Sequence, residues 1–286
     1  MKPVLWSCLI LGLWSSCALA EPLKVMTWNI RYNNPNDGIN AWPHRRDWVA
    51  EIILSHKIDI AGFQEVLAGQ LDDLKSRLPE MDVYGVGRED GQKAGEFSPI
   101  FYRRSRFELL NKSTFWLSPT PEKIASKGWD AALPRIASWV KLKDQTTGSV
   151  FYVINTHFDH RGEKARLESA SLLVKSLRGQ FADHPVILTG DFNATAESAP
   201  YRTLTGPVAP DQPTFLDAYH RSAQKAEGPT STWNGFQAIV PNQRIDFVLT
   251  TKTVEVLRHQ ILDERRDGRF PSDHLPVVTD LQFPDE

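Results

Sequence analysis

The chain reads as an α/β protein in which two packed β-sheets are flanked by helices. Short apolar, β-prone runs recur at about ten places, amphipathic helical stripes are few, and many strands follow one another directly. A doubly wound single sheet needs regular alternation of strand and helix, so two sheets fit better.

Taken in order, Leu23 to Tyr32 (LKVMTWNIRY) is a buried strand, and the Asn/Pro/Gly-rich NNPNDGIN after it is a loop. Arg46 to Lys57 is a helix with a stripe at Trp48, Val49, Ile52 and Ile53, followed by the strand Ile58 to Gln64. Ala68 to Leu78 is helical, while Ser98 to Tyr102, Phe107 to Leu117, Ile136 to Leu142 and Val150 to Thr156 are extended. A helix from Glu163 to Leu177 buries Ala170, Leu173, Val174 and Leu177. Val186 to Thr189, Arg244 to Thr250, Val254 to Leu262 and Leu275 to Phe283 complete the strands. Pro200 to Pro213, the most proline-rich stretch, reads as a loop. No repeat or long linker divides the chain, so residues 21–286 are expected to form one domain.

Residues 1–20 have the pattern of a secretory signal peptide: Lys2, an apolar run from Val4 to Leu13, and Ala18-Leu19-Ala20 before the first acid, Glu21. The apolar run is too short to span a bilayer. Cys17 invites a lipoprotein reading, but Trp14 stands where a lipobox wants an aliphatic residue. Cleavage after Ala20 gives a secreted or periplasmic protein without cysteine, which excludes disulfides, thiolate metal sites and cysteine nucleophiles. The remaining 266 residues carry a formal net charge of −3, so no global pull toward nucleic acid or anionic lipid exists. Nor does a membrane-spanning segment appear, and a monomer is expected.

The residues able to do chemistry cluster at predicted strand ends. Asn29 and Glu65 end the first two strands, and oxygen donors so placed can share a hard divalent cation. Asp191 and Asn193 follow the strand VILT and, in extended geometry, project the same way, suited to orienting a water and a phosphoryl oxygen; Gly-Asp and Asn are equally turn residues. Asp246 is an acid inside the apolar strand RIDFVL and needs a partner. His274 in PSDHLP can supply it, with Asp246 fixing the imidazole tautomer and Asp273 facing the metal. A salt-bridged strand acid and a solvated turn histidine are the plainer alternative. His157 closes the strand FYVI and can donate to a phosphate oxygen, whereas His160 and Arg161 read as solvated. Arg135, at the start of a strand, can reach a phosphate bidentately. The other five histidines have no motif context.

Taken together, WNI, QE, NTH, GDFN, RIDFV and SDH, in this order and over nearly the whole mature chain, resemble the endonuclease/exonuclease/phosphatase superfamily. The Asn-Thr-His form is similar to its deadenylase, sphingomyelinase and DNase I side and departs from apurinic endonucleases at His157. The resemblance implies a four-layer α/β sandwich, DNase I-like, with the site at one edge of the central sheets. It implies Mg²⁺ or Mn²⁺ near Asn29, Glu65 and Asp273, with Asp191 positioning the attacking water. Asn193 and His157 would hold phosphoryl oxygens, Asp246 and His274 would form a dyad, and Arg135 would contact phosphate. The activity implied is phosphoester hydrolysis of the phosphodiesterase or nuclease type, on a nucleotide, single-stranded nucleic acid or small phosphodiester. Phosphomonoesterase and sphingomyelinase-like activities are the alternatives, and a catalytically silent secreted binding module is an alternative of another class. Thr-His-x-Asp-His is also similar to the zinc motif of the metallo-β-lactamase fold, although Asn155 stands where its first histidine belongs. Trp42 with Arg45 and Arg46, Trp116, Trp129, Trp233 and Phe236 are candidates to stack on substrate or cover the core.

Overall fold

A computed structural model describes residues 21–206 and 214–284. The segment read as a signal peptide lies outside the described residues. Those described form β1 (Leu23–Asn29), α1 (Arg46–Ser55), β2 (Ile60–Gln64), α2 (Ala68–Arg77), β3 (Met81–Tyr84), β4 (Ile100–Arg103), β5 (Phe107–Trp116), β6 (Ile136–Asp144), β7 (Val150–His157), α3 (Glu163–Arg178), β8 (Val186–Asp191), α4 (Ala199–Thr205), β9 (Leu216–Asp217), α5 (Ala218–Arg221), β10 (Asp246–Thr250), β11 (Glu255–Ile261) and β12 (Val277–Gln282). Two six-stranded mixed sheets result, ordered β11-β12-β1-β2-β4-β3 and β5-β6-β7-β8-β10-β9. Each has one parallel pair near its centre, β1 with β2 and β7 with β8.

Alternation along the central strands explains the layers. Leu23, Val25, Ile60, Val153, Ile187 and Val248 point between the sheets and form one buried cluster. Their neighbours Met26, Trp28, Ala61 and Phe63 point outward to meet Trp48, Val49, Ile52 and Ile53 of α1. On the opposite face, Ile154, Leu188 and Phe247 meet Ala170, Leu173 and Leu177 of α3. Three apolar interfaces between four layers give the DNase I-like sandwich expected from the motifs.

Two local readings are corrected. The proline-rich stretch begins as helix α4, because Ser198 accepts a hydrogen bond from the Tyr201 N–H as N-cap and Pro200 sits in the first turn, where its missing N–H costs nothing. Residues 207–213 of that stretch lie outside the described residues. The NNPNDGIN segment is partly ordered as a 3-10 turn over Pro35–Asn40, entered at Asn34, whose side chain accepts from the Asn36 N–H.

Toward one edge the inward-facing positions change from apolar to polar. The Gln64 amide donates to the Thr27 hydroxyl (3.1 Å) and Asn155 Oδ1 (2.7 Å), and Thr189 Oγ1 donates to the same Asn155 oxygen (3.0 Å). Asn155 Nδ2 donates to the carbonyls of Phe63 (2.7 Å) and Pro99 (3.0 Å), joining the sheets through hydrogen bonds buried from water. Only glycine fits at position 62, where a Cβ would lie 2.4 Å from Thr189 Oγ1 and 2.7 Å from Asn155 Oδ1. The motif residue Asn155 therefore belongs to this seam.

Candidate active site

Two residues further along the strands, from Thr27 to Asn29, Asn155 to His157 and Thr189 to Asp191, the same inward parity delivers the candidate site. Register pairs His157 with Asp191 and Asp191 with Asp246, so three adjacent strands present these side chains side by side. From the facing sheet, Asn29 donates through Nδ2 to Asp191 Oδ2 (3.0 Å) and Glu65 Oε1 (3.1 Å). The loop carrying Asp273 and His274 is fixed from both sides. Trp28 Nε1 donates to the His274 carbonyl, Ser272 Oγ to the Asn29 carbonyl, and the Asn234 N–H to the Asp273 carbonyl. Buried Arg45 ties the same loop down, donating to the carbonyls of Pro271 (2.7 Å) and Ile30 (2.9 Å).

His274 Nδ1 lies 2.9 Å from Asp246 Oδ2 and its Nε2 lies 3.8 Å from Asp191 Oδ2. The ligand atoms of these three buried residues fall within 4.8 Å of one another. Burial alone would lower the His274 pKa, but the charges of Asp246 and Asp191 hold it well above the ordinary histidine value. The Asp191 carboxyl is pushed up to about 7 by burial and by the charge of Asp246. Asp191, His274 and Asp246 thus form a compact carboxylate–imidazole–carboxylate group. His157 is the opposite case: burial, with Arg135 and Arg88 nearby, drives its pKa well below the ordinary value and keeps it neutral.

Arg31, Glu65 and Asn193, each just beyond a strand, adopt positive φ of 58°, 62° and 45°. Such backbone costs about 1 kcal/mol or more for a side-chain-bearing residue. Here it turns Glu65 back toward Asn29, and it places Asn193 so that its N–H donates to Asp191 Oδ1 (2.8 Å) and its Nδ2 approaches His157 Nε2 (2.9 Å). Asn193 reaches the site by a left-handed turn, correcting the extended geometry expected for Asp191-Phe192-Asn193. The motif is a turn, and that turn brings both side chains to the same edge of the sandwich.

All nine predicted site residues lie at this edge of the sandwich, Arg135 at its margin. Arg135 is buried, its Nε donating to Asp159 Oδ2 (3.2 Å) and its Nη2 to His160 Nδ1 (2.9 Å). His160 is exposed, as expected, and Nδ1 also accepts from this buried arginine. Sequence reasoning missed Arg31, which lies 3.9 Å from both Glu65 Oε2 and Asp273 Oδ2, and the pair of buried Arg88 with half-buried Glu96 beside His157. Adjacency to the WNI motif was the available signal for Arg31. For the pair it was the glycine-rich GREDGQKAGE, whose left-handed Gly91 and Gly95 turn Glu96 back onto Arg88. Among the stacking candidates, Trp42, Arg45 and Trp116 are buried and hydrogen-bonded within the protein. Trp233 is 37% exposed and pairs through its backbone with His274.

The two carboxylates Glu65 and Asp273 already face a cationic group in Arg31, and the Asn29 amide oxygen, which here accepts from the Arg31 N–H, completes a set of oxygen ligands. This set fits a hard divalent cation. The Asp191–Asp246–His274 group is compact enough for a metal, but its imidazole already supplies positive charge between its carboxylates.

Comparison with known proteins gives concordant results. A family model described as "Endonuclease/Exonuclease/phosphatase family" matches residues 26–274. A crystal structure of an endonuclease/exonuclease/phosphatase from Bacteroides vulgatus superposes with a TM-score of 0.87 at 41% identity, covering 92% of this chain and 99% of that one. A mannosyl-6-phosphatase from Bacteroides thetaiotaomicron superposes with a TM-score of 0.84 at 37% identity, covering 91% and 100%. Human nocturnin is 25% identical over 93% of this chain, an alignment spanning 66% of nocturnin's own length.

Proposed function

The chain belongs to the endonuclease/exonuclease/phosphatase family and is a phosphoester hydrolase of that family, and from that premise we propose that it cleaves its substrate by direct attack of water, assisted by a divalent cation. The observation that carries this reading is the buried Asp191–His274–Asp246 group facing the Asn29–Glu65–Asp273 donors across one edge of the sandwich. Asp191 accepts from Asn29 and Asn193 and presents a carboxylate edge to the attacking water. His274, held by Asp246, carries a proton beside Asp191 and gives its charge to the developing phosphoryl oxyanion. Asn193, whose Nδ2 also donates to the Phe158 carbonyl, orients neutral His157, and the one N–H of that imidazole is left for a phosphoryl oxygen. Glu65, Asp273 and Asn29 would hold Mg²⁺ or Mn²⁺, which when bound supplies charge stabilisation to a phosphoryl oxygen.

For the substrate, a small phosphomonoester such as a sugar phosphate is supported by the 37% identity to a protein named as a mannosyl-6-phosphatase. The net negative charge disfavours a grip on a long polyanion. A phosphodiester is the second reading, supported by the nocturnin-like form of the motifs. Residues 1–20 support export from the cytoplasm, with residues 21–286 working as one domain. Among the described residues no helix is long and apolar enough to cross a membrane. The test is release of p-nitrophenol from p-nitrophenyl phosphate and from bis(p-nitrophenyl) phosphate, in Mg²⁺, Mn²⁺, Zn²⁺ and EDTA. Metal-dependent monoester turnover is expected, and faster diester turnover selects the second reading. Activity with Zn²⁺ alone, or tight phosphate binding with no turnover in any metal, contradicts the proposal.

A further inference from the structure

Three consecutive main-chain amides follow β1, and each addresses a side chain at the edge that carries Asn29 and Glu65. The Arg31 N–H donates to Asn29 Oδ1 (3.0 Å), the Tyr32 N–H to Glu65 Oε2 (3.0 Å) and the Asn33 N–H to Gln70 Oε1 (2.8 Å). This turn therefore orients Asn29 and Glu65, and its first residue is the left-handed Arg31. A side-chain-bearing residue keeps such a backbone only where its surroundings impose it. Two buried side chains do so at one atom. The Arg31 carbonyl accepts from Arg45 Nη2 (3.3 Å) and from Gln70 Nε2 (3.0 Å).

Each of the two then reaches one further ligand-bearing segment. Gln70, in the first turn of α2, also accepts from the Leu67 N–H (3.2 Å), which ties the turn to the segment that follows Glu65. Arg45, just before α1, donates through Nη1 to the carbonyls of Ile30 (2.9 Å) and Pro271 (2.7 Å), which ties the turn to the loop carrying Asp273. Its Nε donates to the Asn40 carbonyl, and its guanidinium lies 5.5 Å and 5.2 Å from the ring centroids of Trp42 and Phe236. Every hydrogen bond that Arg45 makes among the described residues goes to a main-chain carbonyl. As core filling alone, an apolar side chain would serve without the desolvation of a charge. The planar fork of N–H donors instead holds separate chain segments at fixed spacing, which neither an apolar residue nor lysine can do.

We infer that Arg45 and Gln70 are positioning residues for the divalent-cation site, Arg45 setting the spacing of Asn29 and Asp273 and Gln70 that of Asn29 and Glu65. Both act through the main chain, at the Arg31 carbonyl and at the segments they join to it. The inference rests on the cation proposed for these ligands. Loss of either residue leaves all three ligands in the chain but lets them drift apart, so cation affinity falls although no donor has been removed.

The experiment is calorimetric titration of MgCl₂ into the metal-free full chain, with wild type, Arg45→Lys, Gln70→Met and Leu74→Ala, and thermal unfolding of each in EDTA. Arg45→Lys keeps the charge and loses the fork, and Gln70→Met keeps the length and loses the amide. Leu74, buried on α2 in the apolar cluster alone, is the control for general destabilisation. Arg45→Lys and Gln70→Met are each expected to bind Mg²⁺ about 10- to 100-fold more weakly, the range for groups that orient metal ligands. Leu74→Ala is expected to lower Tm with Mg²⁺ binding unchanged. Equal weakening in Leu74→Ala, or wild-type affinity in a folded Arg45→Lys or Gln70→Met, overturns the inference. Should Arg45→Lys not fold, Gln70→Met against Leu74→Ala decides. A wild-type chain that binds no divalent cation overturns the cation reading itself, and the inference with it.

Discussion

Replacing Arg31 by glutamine separates the charge balance of the site from its chemistry. Its guanidinium stands 3.9 Å from a carboxylate oxygen of Glu65 and 3.9 Å from one of Asp273, and pairs with Asp37 at 3.0 Å. Coulomb's law at that separation gives roughly 4 kcal/mol per pair at an effective dielectric constant of about 20. Arg31 is 24% exposed, so solvent screening reduces each to about 1 kcal/mol, the range measured for such pairs. Without metal, Arg31→Gln removes all three pairs and should therefore lose about 3 kcal/mol, read as a fall in Tm of roughly 6–12 °C in EDTA. The same two carboxylates would then meet Mg²⁺ without a competing cation. Up to ~30-fold tighter Mg²⁺ binding is expected, the equivalent of about 2 kcal/mol. Thermal unfolding in EDTA and calorimetric titration with MgCl₂ read both halves. An unchanged metal-free Tm together with weaker Mg²⁺ binding would refute the reasoning, because Arg31 would then be supporting the metal instead of standing in for it.

Three further outcomes follow from the geometry. Gly62→Ala puts a methyl group 2.4 Å from Thr189 Oγ1, and the overpacking with loss of the seam's hydrogen bonds should cost about 3 kcal/mol, measured by urea unfolding. Asp246→Asn removes the charge that holds His274 at 2.9 Å and can present an N–H in place of the acceptor, so kcat should fall about 10²- to 10⁴-fold with KM nearly unchanged, and the His274 pKa should drop in an NMR titration. His259 is fully buried and its pKa is lowered to about 4 by burial; because the folded value lies below the unfolded one, its stabilising effect is complete above pH ~6.5 and lost as pH falls toward 4. That loss amounts to about 3 kcal/mol, and denaturant melts at pH 7 and 4 should show a correspondingly smaller drop for His259→Gln.

The layers were legible because the sequence signal was local. Alternation in LKVMTWN, FYVINTH and VILTGD fixes which side chains face the other sheet, and the parity that buries Val25, Val153 and Ile187 carries on to Asn29, His157 and Asp191. An acid in an apolar strand likewise announces that Asp246 needs a partner, and the fold brings His274 to it. What the sequence hid depends on chain reversal. Arg88 meets Glu96 only because left-handed glycines close the hairpin, and Arg31 meets Asp273 across most of the chain. Burial was hidden too: Trp42 and Arg45 resemble surface binding residues until α1 and the 270s loop cover them. For α4 the signal was present but misread, since Ser198 followed by Pro200 is a helix start as well as a loop.

The central claim is that Asp191 and the His274–Asp246 pair hydrolyse a phosphoester with water. The most direct test is kcat of the Asp191→Asn protein against wild type on p-nitrophenyl phosphate in saturating Mg²⁺, with inorganic phosphate binding as the control for an intact site. The account predicts a loss of about a thousandfold or more with phosphate still bound. Retention of turnover within about tenfold, in a folded protein that still requires the metal, would place the chemistry elsewhere and contradict it.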